Sequence, residues 1–331
     1  MYGCCGCSCP QADATLAHMA VVAPATAFVT SASGFIGTEL IRVLVARGHQ
    51  VIGLTESLDG AARVRHAGGT AVIGSLLEPG QWQDEAAADW VFHVPPHPRE
   101  GMRVPWMRAA SMSRARVSMD AHLLDAVSAG TTQRIVYVAD TRWYGATGAR
   151  PITEDEPPRP SHEGRCFVKA FTRVDGYIAA GLPIVTALPG WVYGNGSWFR
   201  ERVIEPVMAG RHVLQYGRAQ RWVSPIHLHD CVRAIVHLAE HGEIGGRYFL
   251  VNSHPVRVEQ FAQDFARLAN RPLHLWRVPA VASRFITGAL PSGSLHADAV
   301  FSNIRLRGSG FHYLYPTLEK GLEQVLGVIN E

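Results

Sequence analysis

Short apolar runs and amphipathic stretches alternate along the first two thirds of the chain. Residues 25–30, Ala-Thr-Ala-Phe-Val-Thr, form an apolar run of strand length. Leu40, Ile41, Leu44 and Val45 then recur on one helical face between Thr38 and Arg47, and Gly48 ends the pattern. Further strands are predicted at residues 51–54, 70–73, 89–93, 134–138 and 183–188, and helices at about 59–67, 108–129 and 169–180. Strands this short, separated by helices, predict βαβ units. The fold class is therefore α/β, a doubly wound parallel sheet with helices on both faces and right-handed crossovers. The proline-rich run from Pro151 to Pro160 reads as a loop, because the alternation resumes after it. Beyond Gly194 the pattern loosens into longer helices and isolated strands, which predicts a smaller C-terminal lobe.

The first strand runs into Ser31-Ala-Ser-Gly34-Phe-Ile-Gly37, and the first helix follows at once. A strand, a glycine turn and a helix N-terminus form the geometry that receives a diphosphate. Three turn positions ordinarily take glycine: one for the tight turn, one for close ligand approach, one for helix packing on the strand. The last two are Gly34 and Gly37; the first is Ser31, whose hydroxyl can donate to phosphate. Such a turn can be purely structural, but its place after the first strand favours a dinucleotide site. Residues 21–190 then form a dinucleotide-binding unit and residues 191–331 mainly a substrate-binding lobe, with segments returning to the sheet.

Composition narrows the classes. Thirty-one basic against 28 acidic residues give a net charge of +3, with no basic stripe of the kind a nucleic-acid binder carries. No apolar stretch reaches the length needed to span a bilayer, so neither nucleic acid nor membrane is an expected partner. Only two of the basic residues are lysines, Lys169 and Lys320, which draws attention to each. Cys4, Cys5, Cys7 and Cys9 crowd the N-terminus while Cys166 and Cys231 stand apart, a distribution that suits a reduced, cytoplasmic protein better than a disulfide framework. Residues 1–20 are expected to be a disordered cysteine-rich tail, without the spacing of a zinc site or a signal peptide.

The turn and five further segments, in order, resemble the extended short-chain dehydrogenase/reductases, a family of sugar-nucleotide epimerases, dehydratases and related dehydrogenases. Thr30 to Gly37 resembles the family's T-G-x-x-G-F-I-G, and Val91-Phe-His-Val94 the segment after its fourth strand. Val136 to Gly145 resembles V-Y-x-S-S-x-x-x-Y-G; Pro189 to Gly194 resembles R-P-x-x-V-Y-G, with Leu188 at the arginine. Ser224 to Asp230 resembles I-H-V-x-D, and Tyr315-Pro-Thr317 the terminal Y-P-T. The resemblance runs from about residue 25 to 328 and implies a Rossmann-like domain, an NAD or NADP cofactor with a slight lean to NAD, and a small-molecule substrate. It also implies a homodimer formed through the helices near 108–129 and 165–180. Cofactor contacts carry over to Ser31, Ser33, Gly34, Phe35, Ile36, Gly37, Thr55, Glu56, Lys169, Pro189 and Val192. Glu56 favours NAD by accepting from ribose hydroxyls, while Arg63 and Arg65 are close enough in sequence to serve a 2′-phosphate. Ser75 stands where the family often has an adenine-contacting aspartate.

The catalytic positions depart from the pattern. The family uses a Y-x-x-x-K pair and a serine or threonine; Lys169 fits the lysine, but Arg165 stands at the tyrosine and Asp140, with Thr141 beside it, at the serine. A guanidinium stays protonated, so Arg165 cannot exchange a proton, yet it can clamp an anion or stabilise an oxyanion. Asp140 is either the proton carrier or a salt-bridge partner of a nearby cation such as Arg165 or Lys169. Tyr144, Tyr193, His93 and His97 are further acid–base candidates. Trp191, Trp198 and Trp222 either line an apolar pocket or pack in the core. His237-Leu-Ala-Glu-His241 has the H-x-x-E-H spacing, but it ends a helix at Gly242, where histidine favours the dipole, so no metal is expected there. The leading reading is an NAD(P)-dependent oxidoreductase or epimerase-type enzyme acting on a small carbonyl or alcohol. A non-redox isomerase, lyase or cyclase and a non-catalytic dinucleotide sensor are the alternatives.

Overall fold

The computed structural model describes residues 23–94, 106–128, 130–160, 164–196, 198–216, 220–278 and 298–330; the cysteine-rich tail and His97 lie outside them. The first half runs β1 (Thr26–Val29), α1 (Phe35–Ala46), β2 (Gln50–Thr55), α2 (Leu58–His66), β3 (Thr70–Ile73), a short α3 (Trp82–Glu85), β4 (Trp90–His93), α4 (Trp106–Ser128) and β5 (Arg134–Val138). After β6 (Pro151–Ile152) come α5 (Arg165–Ala179) and β7 (Ile184–Pro189). Helix α5 begins four residues before the periodicity suggested, because Gly164 and Arg165 already have helical backbone or open the first turn. Among the described residues no helix is long and apolar enough to cross a membrane.

Seven parallel strands form one sheet in the order β12-β7-β5-β4-β1-β2-β3, where β12 is Arg247–Leu250. The strand order reverses between β1 and β4, which opens a crevice at their carboxyl ends. Ala27, Phe28, Val29, Val91 and Phe92 are fully buried, because helices cover both faces. Leu40, Ile41 and Leu44 of α1 share that core with α7 (Leu228–His241), each side chain contributing about 1.5–3 kcal/mol by leaving water. The chain thus sends α7 and β12 back to the sheet partway through building its second lobe.

That lobe contains β8 (Trp191–Tyr193), α6 (Glu205–Met208), β9 (His212–Tyr216), β10 (Trp222–Val223) and β11 (Pro225–His227) before the return to the sheet. Beyond β12 follow β13 (Val256–Arg257), α8 (Val258–Leu268), β14 (His274–Val278), β15 (Val300–Phe301), α9 (Ile304–Gly308) and α10 (Leu318–Asn330). Its core is aromatic: Tyr193, Phe199, Phe261 and Phe265 are buried together. Trp191 and Trp198 pack against this cluster edge to face, 5.0 Å apart between ring centres, so they serve as core. Trp222 lies under the Arg257 guanidinium at 3.8 Å.

A buried ionic network ties the strand ends beneath the crevice. Asp120 Oδ1 accepts from Arg116 Nε at 2.8 Å and from His93 Nε2 at 2.7 Å, and its other oxygen accepts from the Tyr137 hydroxyl at 2.8 Å. Arg116 also donates to the Tyr137 hydroxyl at 2.6 Å and to the Val138 carbonyl at 3.3 Å. His93 Nδ1 meets the Thr30 hydroxyl at 3.1 Å. Every member is buried. Removing one charge from such a pair strands the other in a medium that cannot solvate it. Asp120→Asn is expected to cost about 3–5 kcal/mol in urea unfolding, and Arg116→Met combined with Asp120→Leu to recover most of that loss.

Candidate functional site

At the crevice, Ser31 turns the chain with φ +47°, the left-handed region that glycine occupies without penalty. The Ser31 carbonyl accepts from Gly34 N at 2.9 Å and closes the turn. A Cβ on Gly37 would stand 2.4 Å from the Ser31 oxygen and 2.9 Å from the Ala32 Cα, so α1 seats against the turn only because residue 37 has no side chain. Gly34 caps α1 without any side-chain hydrogen bond, and the first turn of α1 carries no acidic residue. The first amides of α1 are therefore open to an anion, and the turn fits the diphosphate of a dinucleotide. Ile36 is half-buried on α1 beside Phe35, whose ring would lie 3.4 Å from a Cβ on Gly194 and so joins the turn to the segment after β8.

The far side of the turn is built from small hydroxyls. Ser33 Oγ and Thr55 Oγ1 share a hydrogen bond of 2.9 Å, and Ser57 caps α2 by accepting from Gly60 N at 3.0 Å. A Cβ on Gly60 would collide with the Thr55 hydroxyl, so α2 approaches β2 closely here. Glu56 is exposed and accepts from Ser75 Oγ at 3.0 Å. Arg63 donates from Nε to the Ser33 carbonyl at 3.3 Å, close to the same end of the turn.

The reacting side is assembled from the end of β5 and the start of α5. Asp140 caps a 3₁₀ turn over Thr141–Tyr144 and accepts from Arg142 N at 2.8 Å. Arg142 Nε donates to its two carboxylate oxygens at 2.9 and 3.0 Å. Of the two roles open to Asp140 in the sequence, the geometry shows an ion pair, and its partner is Arg142 instead of Arg165 or Lys169. The pair lies in the turn beyond β5, so neither a helical nor a strand pattern points to it. Gly164 backs directly on this turn, since a Cβ there would stand 2.3 Å from the Arg142 oxygen. Arg165 follows, and Lys169 lies one helical turn later; both side chains are exposed. Thr141 is half-buried, and its hydroxyl makes no hydrogen bond with another described residue.

The other acid–base candidates are engaged elsewhere. Tyr144 points into the core, donates to the Glu154 carbonyl at 3.1 Å, and is pushed up to about 12 by burial. Tyr193 is fully buried in the second lobe, and burial raises its phenol well above the ordinary range. His93 sits in the ionic network, where burial lowers its pKa against the opposing pull of Asp120. The sequence reading missed a group in the second lobe. Arg202 Nη1 and both polar ends of Gln215 are buried without a partner among the described residues. Burial, partly offset by Asp298, lowers buried Arg221 to about 10. Polar residues interrupting an apolar stretch were the only trace of this in the sequence. Pro189 ends β7, and Val192 lies in β8, where its carbonyl accepts from Trp198 Nε1 at 2.9 Å.

A doubly wound sheet with a glycine turn at its switch point defines a Rossmann-like protein. The NAD dependent epimerase/dehydratase family model matches residues 27–251, and the chain belongs to that family. An uncharacterized protein of Schizosaccharomyces pombe is 27% identical over 254 residues, 74% of this chain and 81% of that protein. An epimerase family protein of Staphylococcus aureus is 31% identical over 110 residues, 33% of this chain and 36% of its own length. The chain therefore matches only about a third of that relative. UDP-glucuronic acid 4-epimerase of Bacillus cereus, solved with UDP-glucuronic acid and NAD, has a TM-score of 0.78 at 15% identity, covering 92% of this chain and 99% of that one. At that identity the likeness establishes the fold.

Two measurements follow from this geometry. Ser31→Gly removes a left-handed strain of about 1 kcal/mol and is expected to raise the thermal midpoint slightly while the fold is kept. His227, below the crevice, is lowered by burial, and then by His229, from 6.5 to about 3. Between those values the unfolded chain binds more protons, so the stability His227 contributes is complete above about pH 6.5 and is lost as pH falls toward 3. Urea midpoints at pH 7 and pH 5 are expected to differ less in His227→Asn, which keeps a cap for α7, than in the natural chain.

Proposed function

We propose that the protein is an NAD-dependent enzyme of the epimerase or dehydratase type, acting at an alcohol or carbonyl carbon of a small anionic substrate such as a nucleotide-linked sugar. The observation that carries the reading is the Ser31–Gly37 turn at the switch point, with the uncapped α1 N-terminus open to a diphosphate. NAD, when bound, takes a hydride from an alcohol carbon and can return it. The amides of Phe35 and Ile36 hold the diphosphate, Gly34 leaves room for its approach, and Ser31 and Ser33 line the turn. Thr55 and Glu56 flank the adenosine end, where the Glu56 carboxylate accepts from ribose hydroxyls and repels a 2′-phosphate. Lys169 reaches the second ribose, and Pro189 and Val192 bound the nicotinamide side.

On the reacting side, Arg165 stabilises charge developing on the substrate oxygen, and the Thr141 hydroxyl positions that oxygen by a hydrogen bond. Asp140, pinned by Arg142, shapes the turn that presents Thr141. The half-buried Arg202, whose Nη1 is buried, and the buried amide of Gln215 suit the anionic, hydrogen-bonding part of a nucleotide substrate. UDP-glucuronic acid in the Bacillus cereus relative supports this class. A non-redox isomerase, lyase or cyclase is the second reading, favoured by the absence of tyrosine at residue 165 and by the ion pair that holds Asp140. A homodimer through α4 and α5, which pack side by side in the chain, follows from the family resemblance. Cys231, buried and unpaired, suits a reducing cytoplasm.

Calorimetric titration with NADH and NADPH tests the reading. Saturable, tighter binding of NADH is expected, weakened at least about tenfold in Gly34→Asp, where a carboxylate meets the diphosphate. Absence of binding to either nucleotide overturns it. With a substrate in hand, Arg165→Ala is expected to lower kcat by about a hundredfold with a smaller effect on KM, whereas an unchanged kcat removes Arg165 from the chemistry.

A further inference from the structure

Helix α7 ends in His237-Leu-Ala-Glu240-His241, about 18 Å along α1 from the glycine turn, at the end where Arg47 follows α1. The donor atoms of His237, Glu240 and His241 all lie within 4.8 Å of one another. The two imidazoles are 4.7 Å apart between ring centres, and His241 Nε2 is 3.8 Å from Glu240 Oε2. Two donors on one tetrahedral zinc ion stand about 3.4 Å apart, so a small rotamer adjustment brings this pair onto a shared ion.

The groups behind these donors are also in place. The other Glu240 oxygen accepts from Arg47 at 2.9 Å, which fixes the carboxylate and balances its charge. His237 Nε2 lies 3.1 Å from the Ser309 carbonyl. Donation to that carbonyl puts the ring proton on Nε2 and leaves the Nδ1 lone pair for a ligand, the outer-shell arrangement that orients metal-bound histidines.

We propose that His237, Glu240 and His241 form a binding site for one divalent transition-metal ion of the zinc class, with water completing the coordination. Two imidazoles and a carboxylate suit zinc, nickel or copper over magnesium or calcium. The site is separate from the cofactor crevice. An ion there joins the last turn of α7 and, through the partners of its ligands, the ends of α1 and α9, and it stabilises the folded chain because the unfolded chain has no preformed site.

The test uses the full chain, stripped of metal, with Cys4, Cys5, Cys7 and Cys9 replaced by serine so that tail thiolates cannot bind. Zinc titration is expected to give one equivalent at micromolar affinity and a rise in the thermal midpoint. Cobalt is expected to give a visible spectrum without a thiolate charge-transfer band. His241→Ala, at an exposed position, is expected to weaken binding at least about tenfold and abolish the thermal shift, and His237→Gln to do the same. Zinc binding that depends on the cysteines overturns the proposal, as does binding that both histidine variants leave unchanged or no binding at all. NADH affinity, unaffected by any of these substitutions, keeps the outcome independent of the cofactor reading.

Discussion

The Asp120 carboxylate gathers donors from α4, β4 and β5 at one buried point under the carboxyl edge of the sheet. In a low-dielectric interior a carboxylate is tolerable only when its charge and lone pairs are met, and Arg116, His93 and Tyr137 meet them. Because Arg116 also bonds the Val138 carbonyl, two residues before Asp140, the same network sets the exit of β5. Thr30 extends it to the exit of β1, next to the turn. The strand ends that frame the crevice are thereby held in mutual register by polar contacts that apolar packing would not specify.

Above that floor, the turn depends on contact without side chains. Gly37 lets α1 touch the backbone of Ser31 and Ala32, and Gly34 leaves the helix N-terminus uncapped. Ser31 accepts a left-handed backbone at a cost that glycine would avoid, and the surrounding contacts keep it there. The same economy of space recurs at Gly164, where α5 meets the Arg142 carbonyl, and at Gly190, which abuts the Ser224 carbonyl. Both phosphate turn and reacting side are thus built by close backbone approach.

The reacting side departs most from the family pattern. An arginine at the tyrosine position carries charge but no exchangeable proton, and an aspartate at the serine position is consumed by a neighbouring guanidinium. Tyr144, Tyr193 and His93, each a candidate by motif, face the interior. Arg165 and Lys169, by contrast, are exposed, and Thr141 is half-buried.

The sequence alone determined the alternation of strands and helices, because a short apolar run and a 3.6-residue stripe are local patterns. It also determined the turn, whose glycines are needed by backbone geometry within seven residues. Residues 134–138 and 70–73 are strands as the pattern predicts, and the Rossmann-like class follows. The return of Arg247–Leu250 as the seventh strand was beyond local pattern, since the pairing of β12 with β7 joins segments some sixty residues apart. Only the tertiary structure decided that Arg142 takes Asp140, that Asp120 anchors three elements and that Glu56 accepts from Ser75. It likewise decided that His237, Glu240 and His241 converge with Arg47 and Ser309 around them. Each of these depends on the distance between charges after folding. Composition and spacing determine which charges exist; packing determines which of them meet.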